Sequence, residues 1–258
     1  MGRSQLMSLV VANHKGGVGK TTCAVHLARW FAERGVCTAL IDADPQGNAS
    51  SSLSEAQVLT ATDQLFGAKA PEIPKPTQAL CVFEARRNEL ITASEALGPE
   101  EAAKNFAAAL KVVEKAGVQL VIVDTGPSLS VQLAAALLSC DRVIAPIEME
   151  EYSIAGVSVL GDTVAAARRR NRRLALIGLV PSRVATVRKS HRDRLAELHS
   201  KFADLVLPPL VVRDATAEAL STGIPLSQMR NAAARAAAKE IDQLGEAVAS
   251  RMGMAVAV

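Results

Sequence analysis

Short apolar runs alternate along the chain with longer segments whose apolar residues recur at helical spacing. Runs of this length, several of them ending in an acid, are typical of buried parallel strands. The predicted strands are Leu6–Ala12, Cys37–Asp42, Leu80–Phe83, Leu90–Thr92, Gln119–Val123, Arg142–Pro146 and Leu174–Val180. The alternation predicts an α/β fold, with a doubly wound, mostly parallel sheet covered by helices on both faces.

The longer segments between these runs are predicted to be helices. They are Lys20–Arg34, Glu55–Phe66, Pro99–Ala116, Ser128–Leu138, Tyr152–Arg170, Val187–Phe202, Asp214–Ser221 and Ala232–Met252. The proline-rich stretch Gly67–Gln78 is predicted to be an irregular surface excursion. We find no internal repeat and expect one domain over residues 1–258, which is large enough to bury a substantial core.

The stretch between the first strand and the first helix, Asn13–Thr22, reads NHKGGVGKTT. Glycines let successive backbone N–H groups turn inward around phosphate oxygens, and the following helix adds the positive end of its dipole. Strand, glycine loop and helix together predict a phosphate-binding loop rather than a glycine loop with a solvated lysine. The predicted phosphate-binding residues are Lys15, Gly16, Gly17, Val18, Gly19, Lys20, Thr21 and Thr22. Lys20 would reach the β- and γ-phosphates, and the Thr21 hydroxyl would hold Mg²⁺.

The loop departs from the usual pattern because His14 takes the first glycine position and Lys15 adds a second lysine. It resembles the deviant Walker A loop, K-G-G-x-G-K-T, of the ParA/MinD family of P-loop ATPases. The resemblance implies ATP and Mg²⁺ as cofactors and a dimer in which Lys15 reaches the partner's nucleotide. It makes Lys15 and Lys20 catalytic, since cations near the γ-phosphate stabilise charge that develops in phosphoryl transfer.

Acids follow two other predicted strands, and ligands gather at the carboxyl ends of strands in such sheets. Asp124 closes an apolar strand as a Walker B aspartate does, so we expect it to orient Mg²⁺. Asp42 and Asp44 could merely cap a turn, because aspartate favours such positions. The segment Asp42–Asn48 also resembles the family's D-x-D-P-Q-x-N motif, which implies that Asp44 places the attacking water and Asp42 supports Mg²⁺. Gly126 stands where the family has proline in the turn after Asp124.

The resemblance extends further along the chain. Cys140–Pro146 is similar to the family's A-D-x-V-I-x-P strand, and Tyr152–Gly156 is similar to the helix start that follows it. Ser182 and Arg183 stand where relatives line the adenine pocket, which implies that both bind nucleotide. We expect a short form of the family, since no helix-turn-helix domain precedes residue 6.

The net charge is only +3, but the cations are concentrated in one part of the chain. From Arg168 to Arg194 the only acid is Asp193. A solvated helix C-terminus would explain part of this run, whereas the whole cluster favours binding of double-stranded DNA through phosphates, without base readout. The predicted DNA-binding residues of this cluster are Arg168, Arg169, Arg170, Arg172, Arg173, Arg188, Lys189 and Arg192. The family resemblance adds Arg213, which matches a basic position that relatives place near DNA.

Four scattered cysteines without a C-x-x-C pair favour reduced thiols over a disulfide framework or a metal site. No signal peptide is evident, and no apolar run reaches the roughly 18 residues of a membrane span. We therefore expect a cytoplasmic protein, and the resemblance implies association with the nucleoid.

The leading hypothesis is a DNA-partition ATPase whose ATP-bound sandwich dimer binds nonspecific DNA and whose ParB-like partner stimulates hydrolysis. The same ATPase could instead position a protein cargo. A membrane-cycling ATPase of the MinD type would need bulky apolar residues near the C-terminus, where residues 249–258 are mostly small. A metal-cluster relative would need paired cysteines.

Overall fold

The computed structural model describes residues 5–150 and 153–257. Within them, seven strands form one sheet in the order β3-β4-β2-β5-β1-β6-β7, and every named strand pair is parallel. The strands are β1 (Met7–Val11), β2 (Thr38–Ala43), β3 (Gln57–Ala61), β4 (Leu80–Glu84), β5 (Leu120–Thr125), β6 (Arg142–Glu148) and β7 (Ala175–Ser182). The predicted α/β fold with a parallel sheet is confirmed.

Helices cover both faces of the sheet. They are α1 (Lys20–Glu33), α2 (Asn48–Ser52), α3 (Arg87–Ala96), α4 (Pro99–Ala116), α5 (Val131–Ser139), α6 (Ser153–Arg168), α7 (Lys189–Phe202), α8 (Asp214–Thr222) and α9 (Ala232–Met252). The predicted bounds of α4 and α9 are confirmed to the residue. The predicted start of α6 at Tyr152 lies outside the described residues.

Alternation along the central strand divides the core into two parts. Val10 of β1 packs in a cluster with residues of α4 and α5, whereas Leu9 and Val11 pack in a second cluster with residues of α1 and α9. Small aliphatic side chains fill most of both clusters, and four of the aromatic rings form two pairs: Trp30 with Phe31, and Phe66 stacked on Phe106 at 5.2 Å. A sheet buried on both faces explains why its central strands are almost uniformly apolar.

The register of the three middle strands brings their carboxyl ends to one edge. Val11 at the end of β1 lies beside Asp124 of β5, which in turn lies beside Asp42 of β2. Every residue of β2 and β5 is buried, so both carboxylates are held inside the sheet edge. This carboxyl edge is where the loop Asn13–Gly19 emerges, and the amino edge lies at the opposite ends of the strands.

Two sequence predictions in the first half of the chain are wrong. The predicted helix Glu55–Phe66 is instead the edge strand β3 followed by a 3₁₀ turn, Thr62–Phe66, because Gln57–Ala61 pairs with β4. The predicted strand Leu90–Thr92 lies inside α3, where Leu90 alone is buried. Short apolar runs carry no periodicity that separates a strand from a helix, so tertiary pairing decides.

The remaining predicted elements are confirmed with ends that shift by at most three residues, and Gly67–Gln78 is irregular as predicted. The largest shift is at α5, which starts at Val131 rather than Ser128. The Ser130 hydroxyl there accepts a hydrogen bond from the Leu133 backbone N–H at 3.1 Å, and this N-cap sets the helix start. The short helix α2 is not predicted by the sequence pattern.

Candidate functional site

The loop between β1 and α1 has the backbone that a phosphate cradle requires. Gly17 and Gly19 have φ values of 76° and 89°, in the left-handed region that favours glycine. A Cβ added at Gly19 would also lie only 2.5 Å from the Ser182 Oγ. The loop therefore needs glycine at position 19 for both conformation and space. Val18 is buried beneath the loop, and Gly16 and Thr22 line the cavity above it.

The start of the loop is anchored to neighbouring elements by side chains. The buried Asn13 amide donates to the Pro146 carbonyl at 2.7 Å and accepts from the Lys15 backbone N–H at 3.0 Å. His14 Nε2 lies 3.0 Å from the Thr163 hydroxyl of α6. The Thr163 hydroxyl also donates to the Val159 carbonyl at 3.0 Å, so it bridges His14 to its own helix. The loop is thus tied to β6 and α6.

The two lysines of the loop lie in different environments. Lys20 is buried, its Nζ donates to the Lys15 carbonyl at 2.9 Å, and burial lowers the pKa of its ammonium group. The Lys15 side chain is 52% exposed, and its Nζ lies 2.5 Å from Glu150 Oε2 and 3.3 Å from Glu148 Oε2. Its pKa is raised, chiefly by the hydrogen bond to Glu150. Lys20 lies within its own loop, whereas Lys15 extends away from it.

Two buried carboxylates lie behind the loop. The Thr21 hydroxyl donates to Asp124 Oδ2 at 2.7 Å, while Asp124 Oδ1 is buried with no hydrogen-bond partner among the described residues. Asp42 Oδ2 accepts from both the backbone N–H and the hydroxyl of Ser50, each at 2.7 Å. Burial raises the pKa of Asp124 to about 8 and that of Asp42 to about 6, and each carboxylate lies near other acids.

An orphaned buried oxygen beside a threonine hydroxyl fits a bound cation. Leaving a carboxylate oxygen unpaired in the interior is costly, and Mg²⁺ takes oxygen ligands with several waters. Asp124 and Thr21 therefore form a site whose donors suit Mg²⁺, with Asp42 next to Asp124 in the sheet register.

Asp44 extends from the end of β2 toward the same space. It is half-buried, and its Oδ1 accepts from the Gln46 backbone N–H at 3.0 Å. Gly126 lies beside this carboxylate, and a Cβ there would make an ordinary contact of 3.5 Å with the Asp44 Cγ. Asp44 lines the cavity above the loop together with Gly17 and Lys20.

A cavity of about 470 Å³ opens over the loop and has the size of a small-molecule site. Ser182 and Arg183 line one side, and Arg183 is held at φ 53° with its Nη1 3.4 Å from the Gly17 carbonyl. Leu210–Asp214 lies beside these two residues and also lines the cavity, although it was not predicted from the sequence to bind nucleotide. Its position depends on a bridge between Val184 and Val211, which is a long-range pairing that a local sequence pattern does not predict.

Comparisons with known proteins identify the family. The profile described as "AAA domain" matches residues 7–176. "Protein IncC" of Escherichia coli is 37% identical over 97% of this chain and 71% of its own length. "Chromosome partitioning protein ParA" of Caulobacter vibrioides is 32% identical, with 88% of each chain covered. The chain belongs to the ParA family of partition ATPases.

The fold of this ParA-family chain agrees with solved structures. A variant of McdA from Cyanothece, solved as its ATP complex, superposes with a TM-score of 0.79 at 20% identity, covering 99% of both chains, which shows a shared fold. Nucleotide and Mg²⁺ use are properties of the family. Across the part of this ParA-family chain that the structure describes, no helix is both long and apolar enough to cross a membrane.

The predicted DNA-binding residues of the ParA-family chain fall into separate groups. Those at the end of α6 form the amino-edge group, because β7 begins just after them. There Arg170 pairs with Glu100 at 2.5 Å and Arg173 with Asp141 at 3.5 Å. The amino-edge group consists of Arg168, Arg169, Arg170, Arg172 and Arg173.

The second group follows the end of β7, at the carboxyl edge. Arg188, Lys189 and Arg192 are exposed at the start of α7, where the helix dipole disfavours cations. Arg213 pairs with Glu240 at 2.6 Å beside the cavity. One subunit therefore does not join these cations into a single patch, and their role in DNA binding stays a prediction.

Proposed function

We propose that this ParA-family ATPase is a DNA-partition switch on the nucleoid. Two copies close around two ATP molecules, and the resulting sandwich dimer binds double-stranded DNA without sequence preference. A ParB-like partner stimulates hydrolysis, which opens the dimer and releases the DNA. The function of the relatives supports partition, and the geometry of the site supports the steps below.

The contrast between Lys15 and Lys20 carries the proposal. Lys20 is buried and hydrogen-bonded inside its own loop, so it serves its own subunit's phosphates. Lys15 is exposed, with its ammonium group at the rim of the site. A second copy facing this edge would receive that ammonium near its γ-phosphate, where positive charge stabilises the transition state.

Exposed apolar residues at the same edge support closure by a second copy. Leu129, Val187 and Val212 are 74%, 88% and 54% exposed, and they follow β5, follow β7 and precede α8 respectively. Bulky apolar side chains concentrated around a site mark a surface that a partner covers. The face that carries the phosphate loop is thus the face we assign to the dimer.

Within the closed site, the placement of the residues supports a role for each. Lys20 would neutralise phosphate charge, Asp44 would orient the attacking water, and Thr21 with Asp124 and Asp42 would hold Mg²⁺. When bound, Mg²⁺ would screen the negative charge of the phosphates. Phosphoryl transfer needs positioning more than proton removal, so Asp44 need not be a strong base.

We assign DNA binding first to Arg188, Lys189 and Arg192. They form no ion pair with any described residue, whereas Arg170 and Arg173 are paired with acids. They also flank the dimer face, so two copies would present them together. If a dimer used about six such cations on phosphates, the logarithm of the binding constant should fall with the logarithm of salt concentration at a slope of roughly −5.

A membrane-cycling function has less support. Met254 and Val256, among the few bulky apolar residues after α9, pack against the second core cluster. Packed side chains are not available to insert into a bilayer. Sedimentation with anionic liposomes and ATP checks this assignment, and we expect the protein to stay in the supernatant.

The proposed function is tested by ATP-dependent DNA binding. We expect Mg·ATP, but not ADP, to retain the wild-type protein on nonspecific duplex DNA, and modest added salt to release it. Lys15→Gln should abolish both the retention and the stimulation of hydrolysis by the partner. Binding that ignores the nucleotide or the salt would contradict the switch.

A further inference from the structure

Two acids near the end of β6 hold the cations that border the phosphate loop. Glu148 uses one carboxylate oxygen, Oε2, for Lys15 and the other, Oε1, for Arg183, each at 3.3 Å. Glu150 lies 2.5 Å from the same Lys15 Nζ. The carboxylates thus connect cations from two different loops, one after β1 and one after β7.

The strand order of the sheet explains why Glu148 contacts both cations. Glu148 is the last residue of β6, which lies between β1 and β7, and its side chain is only 16% exposed. Arg183 is held on the other side at φ 53°, a conformation that non-glycine residues adopt only when surrounding contacts enforce it. The position of β6 between β1 and β7 therefore places the Glu148 carboxylate between Lys15 and Arg183.

The chemistry of these contacts matches that of the proposed ligand. Ammonium and guanidinium groups bind carboxylate and phosphate oxygens through the same charge-assisted hydrogen bonds. A carboxylate that is hydrogen-bonded to Lys15 competes with a phosphate for the same ammonium group, because that group has only three hydrogen-bond donors.

We propose that Glu148 and Glu150 are positioning residues that retain Lys15 within its own subunit, so that dimer closure exchanges their carboxylates for the partner's γ-phosphate. This Lys15 latch rests on the proposed function of Lys15 in the sandwich dimer. The latch opposes dimerisation without nucleotide, because Lys15 leaves the two carboxylates only when the facing subunit's nucleotide supplies a stronger anion.

The latch is weak enough to open. Exposed ion pairs contribute little to stability, and Lys15 and Glu150 are 52% and 57% exposed. We therefore expect removal of the acids to tighten dimerisation by about three- to tenfold rather than by orders of magnitude.

The test is sedimentation velocity of the full chain with saturating Mg·AMPPNP, comparing wild type with Glu148→Gln/Glu150→Gln. The exposed Glu150→Gln variant alone serves as the milder change if the double variant folds poorly. Glu100→Gln is the matched control, since Glu100 forms an equally short and similarly exposed pair with Arg170 at the amino edge. Both latch variants should shift the monomer–dimer equilibrium toward dimer, and the control should not.

A second readout separates the latch from a merely structural effect. Without nucleotide, acylation of Lys15 by acetic anhydride, followed by mass spectrometry, should be faster in the latch variants, while Lys20 should label as in wild type. Unchanged Lys15 labelling, or weaker dimerisation of the variants, would overturn the latch alone. A wild-type protein that forms no dimer with the nucleotide would overturn the proposed function, and the latch with it.

Discussion

Similar polar residues differ in their hydrogen bonding and backbone strain between the two edges of the sheet. At the amino edge, Asp141 accepts from the Ser8 hydroxyl at 2.7 Å, and the Asn171 amide donates to two carbonyls, at 2.6 and 3.0 Å. At the carboxyl edge, Asp124 keeps one buried oxygen that no described residue satisfies, and Arg183 holds a left-handed backbone conformation.

The difference separates stabilising polar groups from functional ones. Buried polar groups that are fully hydrogen-bonded help to fix a fold, whereas unsatisfied ones cost free energy and persist where a ligand completes them. Asp141 and Asp124 are the same residue type next to the same central strand, so their neighbours alone set their roles. Replacing a polar residue at the carboxyl edge should therefore impair function, whereas replacing a similar residue at the amino edge should chiefly affect stability.

The largest contrast is expected between Asp124→Asn and Asp141→Asn. In the proposed site Asp124 holds Mg²⁺, so Asp124→Asn should lower ATP hydrolysis by about 100-fold or more, while the metal-free fold should lose no stability. Asp141→Asn weakens contacts to Ser8 and Arg173, so it should cost about 1 kcal/mol of unfolding free energy and leave hydrolysis intact. Steady-state turnover and urea titration measure the two effects, and equal turnover in both variants would contradict the comparison.

A second contrast uses glycines that share a positive φ. Gly19→Ala places a Cβ 2.5 Å from the Ser182 Oγ and strains the loop, so ATP affinity should fall by about tenfold or more. Gly35, which follows α1 at the amino edge, has φ 78° and nothing within 4 Å of an added Cβ. Gly35→Ala should carry only the backbone cost and bind ATP normally, as fluorescent-nucleotide titration can show.

The two basic groups provide the third contrast. Replacing Arg188, Lys189 and Arg192 with alanine removes six cations from a dimer, so it should lower DNA affinity by about tenfold or more and reduce the salt slope by roughly five. The matched triple replacement of Arg168, Arg169 and Arg172 removes the same charge from the amino edge and should have a smaller effect. Fluorescence anisotropy with nonspecific duplex DNA at several salt concentrations measures both, and the reverse ranking would move the DNA surface to the amino edge.

The smallest effect expected is the pH dependence of stability. The pKa of Asp124 is about 8 in the folded chain because of burial, against 3.8 as its ordinary value, so the metal-free folded state holds a proton that the unfolded state has lost. Stability should therefore decrease as pH rises toward 8, by at most about 1.4 kcal/mol per pH unit. Asp124→Asn should lack this decrease.

Urea unfolding of both proteins with EDTA from pH 6.5 to 8 measures the effect. The difference between them reports on Asp124 together with its interaction with Asp42. His26 does not contribute to the difference, because its pKa, which burial lowers to about 4, keeps it neutral in the folded state of both proteins. Parallel stability curves would show that Asp124 is ionised in the metal-free protein.

The loop after β1 and the acids at the ends of β2 and β5 lie together at the carboxyl edge as the sequence predicts, because their signals are local. A glycine loop between a strand and a helix, and an acid that closes a buried strand, need no long-range information. The same rule about strand ends applies to Glu148, which follows the apolar residue Ile147 of β6 but was not among the predicted site residues. That signal was available and was missed.

What the sequence could not predict depends on contacts between distant segments. The cavity wall at Leu210–Asp214 is set by the Val184–Val211 bridge, and β3 is a strand because it pairs with β4. The split of the basic cluster into two groups is likewise a consequence of topology, since β7 carries the chain from one edge of the sheet to the other.

The central claim is that two copies close face to face, with Lys15 of each at the other's nucleotide. The most direct measurement is sedimentation velocity of Asp44→Ala with Mg·ATP, beside the double variant Lys15→Gln/Asp44→Ala. Asp44→Ala should accumulate as a species of twice the monomer mass, and the double variant should remain monomeric. A monomeric Asp44→Ala protein, or a double variant that dimerises equally well, would contradict the claim.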